Sequence, residues 1–168
     1  MNVKFYPALP KEYREPVWNI LCESNNDFVP PLSARYNDGG EEEFDLTKVK
    51  IDRFPTIYFN KIISLSFLIA FDDETGEVMG FTAFKHGYSS DELHNFSPLN
   101  YISTTCVSKK YRNKGVAQRL YQFLEEELPP SFRLPYIARR TWSTNYPQIH
   151  LYRIAYLNQV FSLNTLIK

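Results

Sequence analysis

The stretch Val107-Ser-Lys-Lys-Tyr-Arg-Asn-Lys-Gly-Val-Ala-Gln-Arg-Leu120 decides how the rest of the chain is read. A β-like run, Tyr101-Ile-Ser-Thr-Thr-Cys-Val107, leads into it, and Val116 to Leu128 continues with helical spacing. Strand, basic turn with one glycine, helix is the order that builds a phosphate cradle. The first amides of a helix lack an acceptor within it and point at whatever lies beyond its N-terminus. Gly115 has no side chain, so an anion can approach the backbone there. Lys109, Lys110, Arg112 and Lys114 put four cations within six residues. Like charges crowded at one helix entrance repel each other unless an anion joins them.

Two common nucleotide loops do not fit. A Walker loop needs Gly-x-x-x-x-Gly-Lys-Ser/Thr, which is absent. A dinucleotide fingerprint needs three spaced glycines, and this turn has one. A plain structural turn is the remaining alternative.

Upstream of the turn, Met1 to Tyr6 alternates polar and apolar residues, which predicts a short first strand. Tyr13, Val17, Ile20 and Leu21 recur at helical spacing between Lys11 and Glu23. Pro16 suits only the first turn of such a helix, so its start is expected near Arg14. Asn37-Asp-Gly-Gly40 signals a turn, and Glu41-Glu-Glu-Phe-Asp45 is a short acidic run, read as a solvated helix face or a cation contact. A second short helix is expected between Glu42 and Asn60, with Pro55 cutting into it. The clearest hairpin follows. Ile62 to Phe71 is a buried-strand run, Asp72 to Gly76 the turn, and Glu77 to Lys85 the return strand, with Val78, Gly80, Thr82 and Phe84 on one face. His86 to Leu99 reads as a polar loop.

Downstream, Val116, Leu120, Phe123, Leu124 and Leu128 form one apolar stripe, and Pro129-Pro130 stops the helix. Tyr136 to Trp142 is strand-like. Ser143-Thr-Asn145 is a capping cluster, and Pro147 fits the first turn of another helix. Gln159 to Leu166 reads as a last strand. A strand–helix–strand crossover over residues 101–142 implies a parallel pair, whereas the hairpin implies antiparallel ones. The expected class is therefore α+β: one domain over residues 1–168, with a central mixed, mostly antiparallel sheet flanked by about four helices.

Composition narrows the function. The 168 residues carry 19 basic and 19 acidic side chains, a net charge of zero. That argues against a general nucleic-acid binder, which would have a basic excess. The 13 Phe, 12 Tyr and 2 Trp are enough for a pocket wall as well as a core. Cys22 and Cys106 are too few for a disulfide scaffold. The polar and proline-containing start reads as no signal peptide, so the expected location is cytoplasmic with both thiols reduced. The run Ile62 to Phe71, interrupted by Ser64 and Ser66, is about half the ~20 residues of a membrane span, and no membrane partner is expected.

The strand order and the turn together resemble the GNAT acyltransferase superfamily. Its signature, Gln/Arg-x-x-Gly-x-Gly/Ala, reads here Arg112-Asn-Lys-Gly115-Val-Ala117, and a wider pattern is matched by Val107, Tyr111, Arg112, Gly115 and Ala117. The resemblance implies that the backbone of Arg112, Asn113, Lys114, Gly115, Val116, Ala117 and Gln118 binds the pyrophosphate of acetyl-CoA or another acyl-CoA. It implies that the preceding strand splays from its neighbour at a bulge. Thr105 and Val107 would then pair with the pantetheine arm as an added strand would. Asn145 resembles the family residue that meets the same arm; the other reading is a helix cap.

The implied reaction is direct attack of an amine on the thioester. A strand amide, that of Val107 or a neighbour, would hold the carbonyl oxygen. Tyr152, seven residues after Asn145, takes the position of the family's proton donor to the leaving thiolate; its alternative is a core aromatic. The general base is not legible, with His86, Asp91, Glu92 and His94 as loop candidates and a water chain as the other option. His150 stands beside Tyr152 in sequence but not on its helix face. A covalent route through Cys106 lacks a placed histidine. No metal is implied. The acceptor would be a small-molecule or peptide amine, and the aromatics and acidic run of residues 24–60 would suit a cationic or aromatic one. Ala155-Tyr156 stands where the family often has Gly-Phe. A dozen residues follow Tyr156 where the family has two more strands, so pairing with a second copy as a homodimer is expected. A non-catalytic acyl-CoA sensor on the same fold is the alternative function.

Overall fold

The computed structural model describes residues 1–29, 31–34 and 54–139. Among the described residues five strands form one sheet in the order β1-β2-β3-β4-β5. They are β1 (Asn2–Tyr6), β2 (Ser66–Phe71), β3 (Val78–Tyr88), β4 (Leu99–Val107) and β5 (Ile137–Ala138). β1 to β4 pair antiparallel and β4 pairs with β5 in parallel, so the sheet is mixed as expected. The described helices are α1 (Arg14–Glu23), α2 (Thr56–Ile62) and α3 (Val116–Gln122).

β2 explains the long apolar run. All six of its residues are buried. Phe67, Ile69 and Phe71 face one way with Val17, Ile20 and Leu21 of α1 and Tyr58 and Ile62 of α2. Leu68 and Ala70 face the other way with Val116, Leu120, Tyr121 and Leu124. A strand covered on both faces has no polar face to alternate with. The run is nevertheless shorter than its composition suggested. Ile62 closes α2, and Leu65 N–H turns back to the Ile62 carbonyl at 2.9 Å before β2 begins.

The return strand departs from the alternation expected of it. Ala70 pairs with Gly80 but Phe71 pairs with Val78, which leaves Met79 as an extra residue. The irregularity sends Val78 to the α1 side and Met79 to the α3 side. Val78 therefore does not share a face with Phe84, because a bulge shifts the phase of the pleat by one residue. β3 also runs on to Tyr88, three residues past Lys85 and into the segment read as loop.

α1 starts at Arg14 as Pro16 required, preceded by a 3-10 turn over Lys11–Tyr13. α2 starts directly after Pro55. α3 passes into a π-helical turn at Phe123–Glu127, so the helical run ends one residue short of Leu128. Asp72 organises the hairpin turn. Its Oδ1 accepts from the amides of Glu74 and Thr75 at 2.9 and 3.0 Å. The expectations for 35–53, and for the helix and strand after residue 142, lie outside the described residues. Among the described residues no helix is long and apolar enough to cross a membrane.

Candidate active site

β4, the turn after it and the start of α3 hold the described residues read as cofactor contacts, while the base candidates of residues 86–94 come before β4 in the chain. The Ser108 amide donates to the Met79 carbonyl at 2.9 Å. Backbone groups alternate in direction along a strand, so those of Thr105 and Val107 point to the opposite edge. On that edge β5 pairs only with Asn100 and Tyr101. From Ile102 to Val107 the edge has no ladder partner among the described residues. Opposite it, Ala83 pairs with Thr104 while Phe84 pairs with Ile102, so Ser103 is the extra residue of a bulge. The bulge and the open edge are the local geometry expected of this strand.

The turn is built on two left-handed residues. Gly115 has φ +77° and Asn113 has φ +60°. A Cβ on Gly115 would meet nothing within 4 Å, so the glycine answers a conformational need and not a steric one. Gly115 caps α3, and the first intrahelical bond runs from the Arg119 amide to the Gly115 carbonyl at 2.9 Å. The amides of Val116, Ala117 and Gln118 therefore have no intrahelical acceptor. Asn113, Lys114 and Gly115 are exposed, while Val116 is buried and anchors the helix start.

Arg112 is turned inward. Its Nε donates to the Val107 carbonyl at 3.1 Å, and its Nη2 donates to Ser24 Oγ at 3.3 Å and to Asp27 Oδ2 at 2.7 Å. The side chain thus clamps the turn to the end of α1, and one lone pair of Val107 is already taken. Two of the other cations, Lys110 and Lys114, also have partners. Glu77 accepts from Lys110 Nζ and from the Tyr111 hydroxyl, each at 2.5 Å. Both donors hold the Glu77 carboxyl below its ordinary pKa, Lys110 the more strongly. Lys114 lies over the Tyr111 ring, 5.3 Å from its centre. Glu23 accepts from the Lys109 amide at 2.9 Å and from Ser108 Oγ at 3.2 Å. Carboxylates from distant parts of the chain meet Arg112 and Lys110, which relieves part of the crowding of cations and weakens repulsion as an argument for a bound anion. The free amides and the left-handed backbone are the stronger evidence for one.

Beneath β4, a polar chain runs through the α3 side. Arg139 Nη1 donates to the Tyr121 hydroxyl at 2.5 Å, Tyr121 donates to Thr105 Oγ1 at 3.1 Å, and Thr105 Oγ1 meets Thr82 Oγ1 at 3.0 Å. On the other face, the Tyr58 hydroxyl is hydrogen-bonded to Thr104 Oγ1 beside the bulge. A cavity of about 90 Å³ opens there, lined by Tyr58, Lys61, Ile62, Lys85 and Ser103 among others.

Gly80 was read only as part of a strand face, yet it sets the spacing of the site. A Cβ there would lie 2.7 Å from the Cys106 carbonyl oxygen and 3.2 Å from Val116. Close approach of β3 to the end of β4 and to the start of α3 needs a glycine at this point. Tyr121, Arg139 and the carboxylates Glu23, Asp27 and Glu77 were not singled out either, whereas Tyr58 is one of the aromatics of residues 24–60 read as suiting an acceptor. Of the residues not singled out, only Gly80 had a signal in the sequence, being a glycine inside a strand.

The loop histidines are occupied locally. His86 Nδ1 lies 2.9 Å from Asn100 Oδ1, and its ring packs on Phe132 at 4.6 Å. His94 Nδ1 lies 2.8 Å from the Asp91 carbonyl. Neither lines the cavity. Cys106 is buried, and burial pushes its thiol up to about 12, which opposes a thiolate nucleophile. Asn145, His150 and Tyr152 lie outside the described residues. Among the described residues no His, Cys, Asp and Glu cluster is arranged to hold a metal.

The Acetyltransferase (GNAT) family profile matches residues 25–156. The chain belongs to the GNAT family. The match takes in the bulged β4, the basic turn and α3. Solved structures carry the same fold. A ribosomal-protein-alanine N-acetyltransferase from Brucella melitensis biovar Abortus 2308 superposes with a TM-score of 0.61 at 13% identity, covering 100% of this chain and 99% of that one. The aminoglycoside N-acetyltransferase AAC(6')-Iy in complex with CoA gives 0.60 at 15% identity, covering 99% and 98%. A probable acetyltransferase gives 0.64 at 13% identity, covering 100% and 97%. At these identities the likeness concerns the GNAT fold. No curated protein matches the sequence.

Proposed function

We propose that this GNAT chain, a single domain over residues 1–168, is an acyl-CoA-dependent N-acyltransferase with acetyl-CoA as its donor. The observation that carries the reading is the pair of left-handed residues, Asn113 and Gly115, at the mouth of α3, beside the open outer edge of β4. Amides of residues 112–118 would take the pyrophosphate. Thr105 and Val107 would pair with the pantetheine arm through their outward backbone groups, and Asn145 would meet the same arm.

In the ternary complex the amine lone pair attacks the thioester carbonyl carbon. The C–N bond forms, and negative charge builds on the carbonyl oxygen against a β4 amide, that of Val107 or a neighbour. Collapse breaks the C–S bond. The thiolate takes the Tyr152 phenol proton, and a water chain accepts the proton lost by the amine. A phenol with pKa about 10 is a competent acid toward a thiolate of similar basicity. The site is read as cytoplasmic, with two copies pairing through the sheet. Sedimentation showing a monomer at micromolar concentration would overturn that last element alone.

Calorimetry with acetyl-CoA tests the reading. Binding is expected, with its loss in Gly115→Asp, which sets a carboxylate where the phosphates would lie. No binding, or binding indifferent to that substitution, overturns it.

A further inference from the structure

Thr104 and Thr105 follow the bulge on β4, and each is held by a tyrosine from a different helix. Side chains alternate along a strand, so consecutive threonines point to opposite faces of the sheet. On the α2 side, the Tyr58 hydroxyl is hydrogen-bonded to Thr104 Oγ1 and lies 3.4 Å from the Ser103 carbonyl oxygen. On the α3 side, the Tyr121 hydroxyl donates to Thr105 Oγ1 at 3.1 Å, and Thr105 Oγ1 also meets Thr82 Oγ1 of β3 at 3.0 Å. Arg139, the residue after β5, donates to the Tyr121 oxygen at 2.5 Å, which leaves the phenol proton for Thr105. Tyr58, Tyr121, Thr104 and Thr82 are buried. Phenylalanine would serve packing alone at either tyrosine position, so the hydroxyls are the informative part. Once buried, each is kept in one geometry, because losing its partner leaves a desolvated polar atom.

The ladder by itself holds this part of β4 weakly. β3 pairs with the inner edge, and its register is broken at Ser103. β5 pairs with Asn100 and Tyr101, so no described residue pairs with the outer edge from Ile102 to Val107. A bulge leaves one residue unpaired and increases the local twist. A strand bonded along one edge can also pivot about that edge. Bonds at adjacent residues, one on each face of the sheet, oppose the pivot in both senses. The same residues carry the edge on which the pantetheine arm is read to lie. An added strand draws its affinity from main-chain hydrogen bonds, and these are strongest in effect when donors and acceptors are aligned before binding.

We propose that Tyr58 and Tyr121 are positioning residues, whose hydroxyls clamp Thr104 and Thr105 from opposite faces of the sheet and fix the open edge of β4 for the pantetheine arm. The proposal rests on the acyltransferase reading and adds to it the groups that shape the donor channel. Both tyrosines act through β4 and take no part in proton transfer. The turn at Gly115 lies outside the clamp, so the pyrophosphate end of the donor is held independently of it.

The test is calorimetry with acetyl-CoA, and with ADP as a competitor that carries the pyrophosphate without the pantetheine arm. Tyr58→Phe and Tyr121→Phe should each weaken acetyl-CoA about fivefold, the order of one net hydrogen bond, and leave ADP unchanged. Thr105→Ser, which keeps the hydroxyl, should lose less acetyl-CoA affinity than Thr105→Val. In a double-mutant cycle, Tyr121→Phe with Thr105→Val should cost less than the sum of the two single losses, since both remove the same bond. Acetyl-CoA affinity untouched in either tyrosine variant overturns the proposal. An equal loss for ADP overturns it too, because general loosening of the fold would weaken both ligands alike. Additivity in the cycle, or serine and valine behaving alike at position 105, has the same consequence. If a tyrosine variant fails to fold, or ADP competes too weakly to be read, the serine and valine comparison decides. Failure of acetyl-CoA to bind the native protein removes the acyltransferase reading and the clamp with it. Binding that ignores the hydroxyls removes the clamp alone.

Discussion

The guanidinium of Arg112 meets Asp27 at 2.7 Å, two residues separated by 85 positions of chain. This contact fastens the basic turn to the short 3-10 segment after α1, and through Nε the same side chain fastens it to Val107. The arginine of the family signature acts here through its neighbours, holding the shape of the turn. Arg112→Ala and Asp27→Ala should each weaken acetyl-CoA binding, measured by calorimetry. The two side chains are 35% and 48% exposed. Their coupling in a double-mutant cycle on stability should therefore be small, about 0.2–1 kcal/mol. A signature arginine that bound phosphate directly would instead make Asp27→Ala neutral or favourable to cofactor binding.

Two glycines should respond differently to alanine. Gly80→Ala drives a methyl to 2.7 Å from the Cys106 carbonyl, and backbone must move. It should cost about 1–3 kcal/mol in urea unfolding. Gly115→Ala has open space around it but sits at φ +77°. Its cost should be about 1–2 kcal/mol, from the left-handed backbone alone. The ranking is checked by adding serine at both sites, which should worsen position 80 further and leave position 115 near its alanine value.

Tyr152→Phe separates catalysis from binding. Turnover of acetyl-CoA with an amine should fall by about 10²-fold or more, the range of a lost general acid. Acetyl-CoA affinity should stay as it was. Unchanged turnover would remove Tyr152 from the role and leave it a packing residue.

The thiols should be slow to react. Burial pushes Cys106 up to about 12 and raises Cys22 above its ordinary value. At pH 8 both are therefore held in the thiol form, which is the unreactive one. Iodoacetamide followed by mass spectrometry should leave Cys106 unmodified in the native protein, label Cys22 slowly, and label both after denaturation. Native labelling of Cys106 would contradict its burial.

Glu77 links the hairpin to the turn through pH. Hydrogen bonds from Lys110 and then Tyr111 lower its folded-state pKa. A carboxylate lowered on folding contributes stability that is present above its unfolded pKa and lost as pH falls through the folded value. Wild-type stability, followed by circular dichroism in urea at decreasing pH, should thus fall more steeply across that range than the rest of the molecule alone would dictate. Glu77→Gln should flatten that part of the profile. Since Glu77 is exposed, the effect should shrink with added salt.

Much of the fold was legible because its signals are local. Pro16 placed the start of α1, Asp72 to Gly76 placed the hairpin, and the apolar stripe from Val116 placed α3. The parallel β4–β5 pair followed from a helix lying between two strands. The return strand was misread at Val78 because a bulge consumes one residue without changing composition, and alternation is then counted from the wrong phase. Ile62 was assigned to a strand because a buried helix end and a buried strand are equally apolar.

By itself the sequence determined the family and the site's backbone. Gly115 at the entrance of an amphipathic helix, after a strand and among basic residues, points to one kind of turn, since backbone conformation and helix periodicity are local properties. The tertiary structure decided which charges remain available in that turn and what surrounds the bulge. Asp27 and Glu77 reach the charges of Arg112 and Lys110, and Glu23 reaches the Lys109 backbone amide, only because the end of α1 and the hairpin pack beside the turn. Lys61, Lys85 and Ser103 come from α2, β3 and β4, and meet only where a bulge opens the sheet. Electrostatic neighbours are set by distance in space, and no spacing along the chain records them.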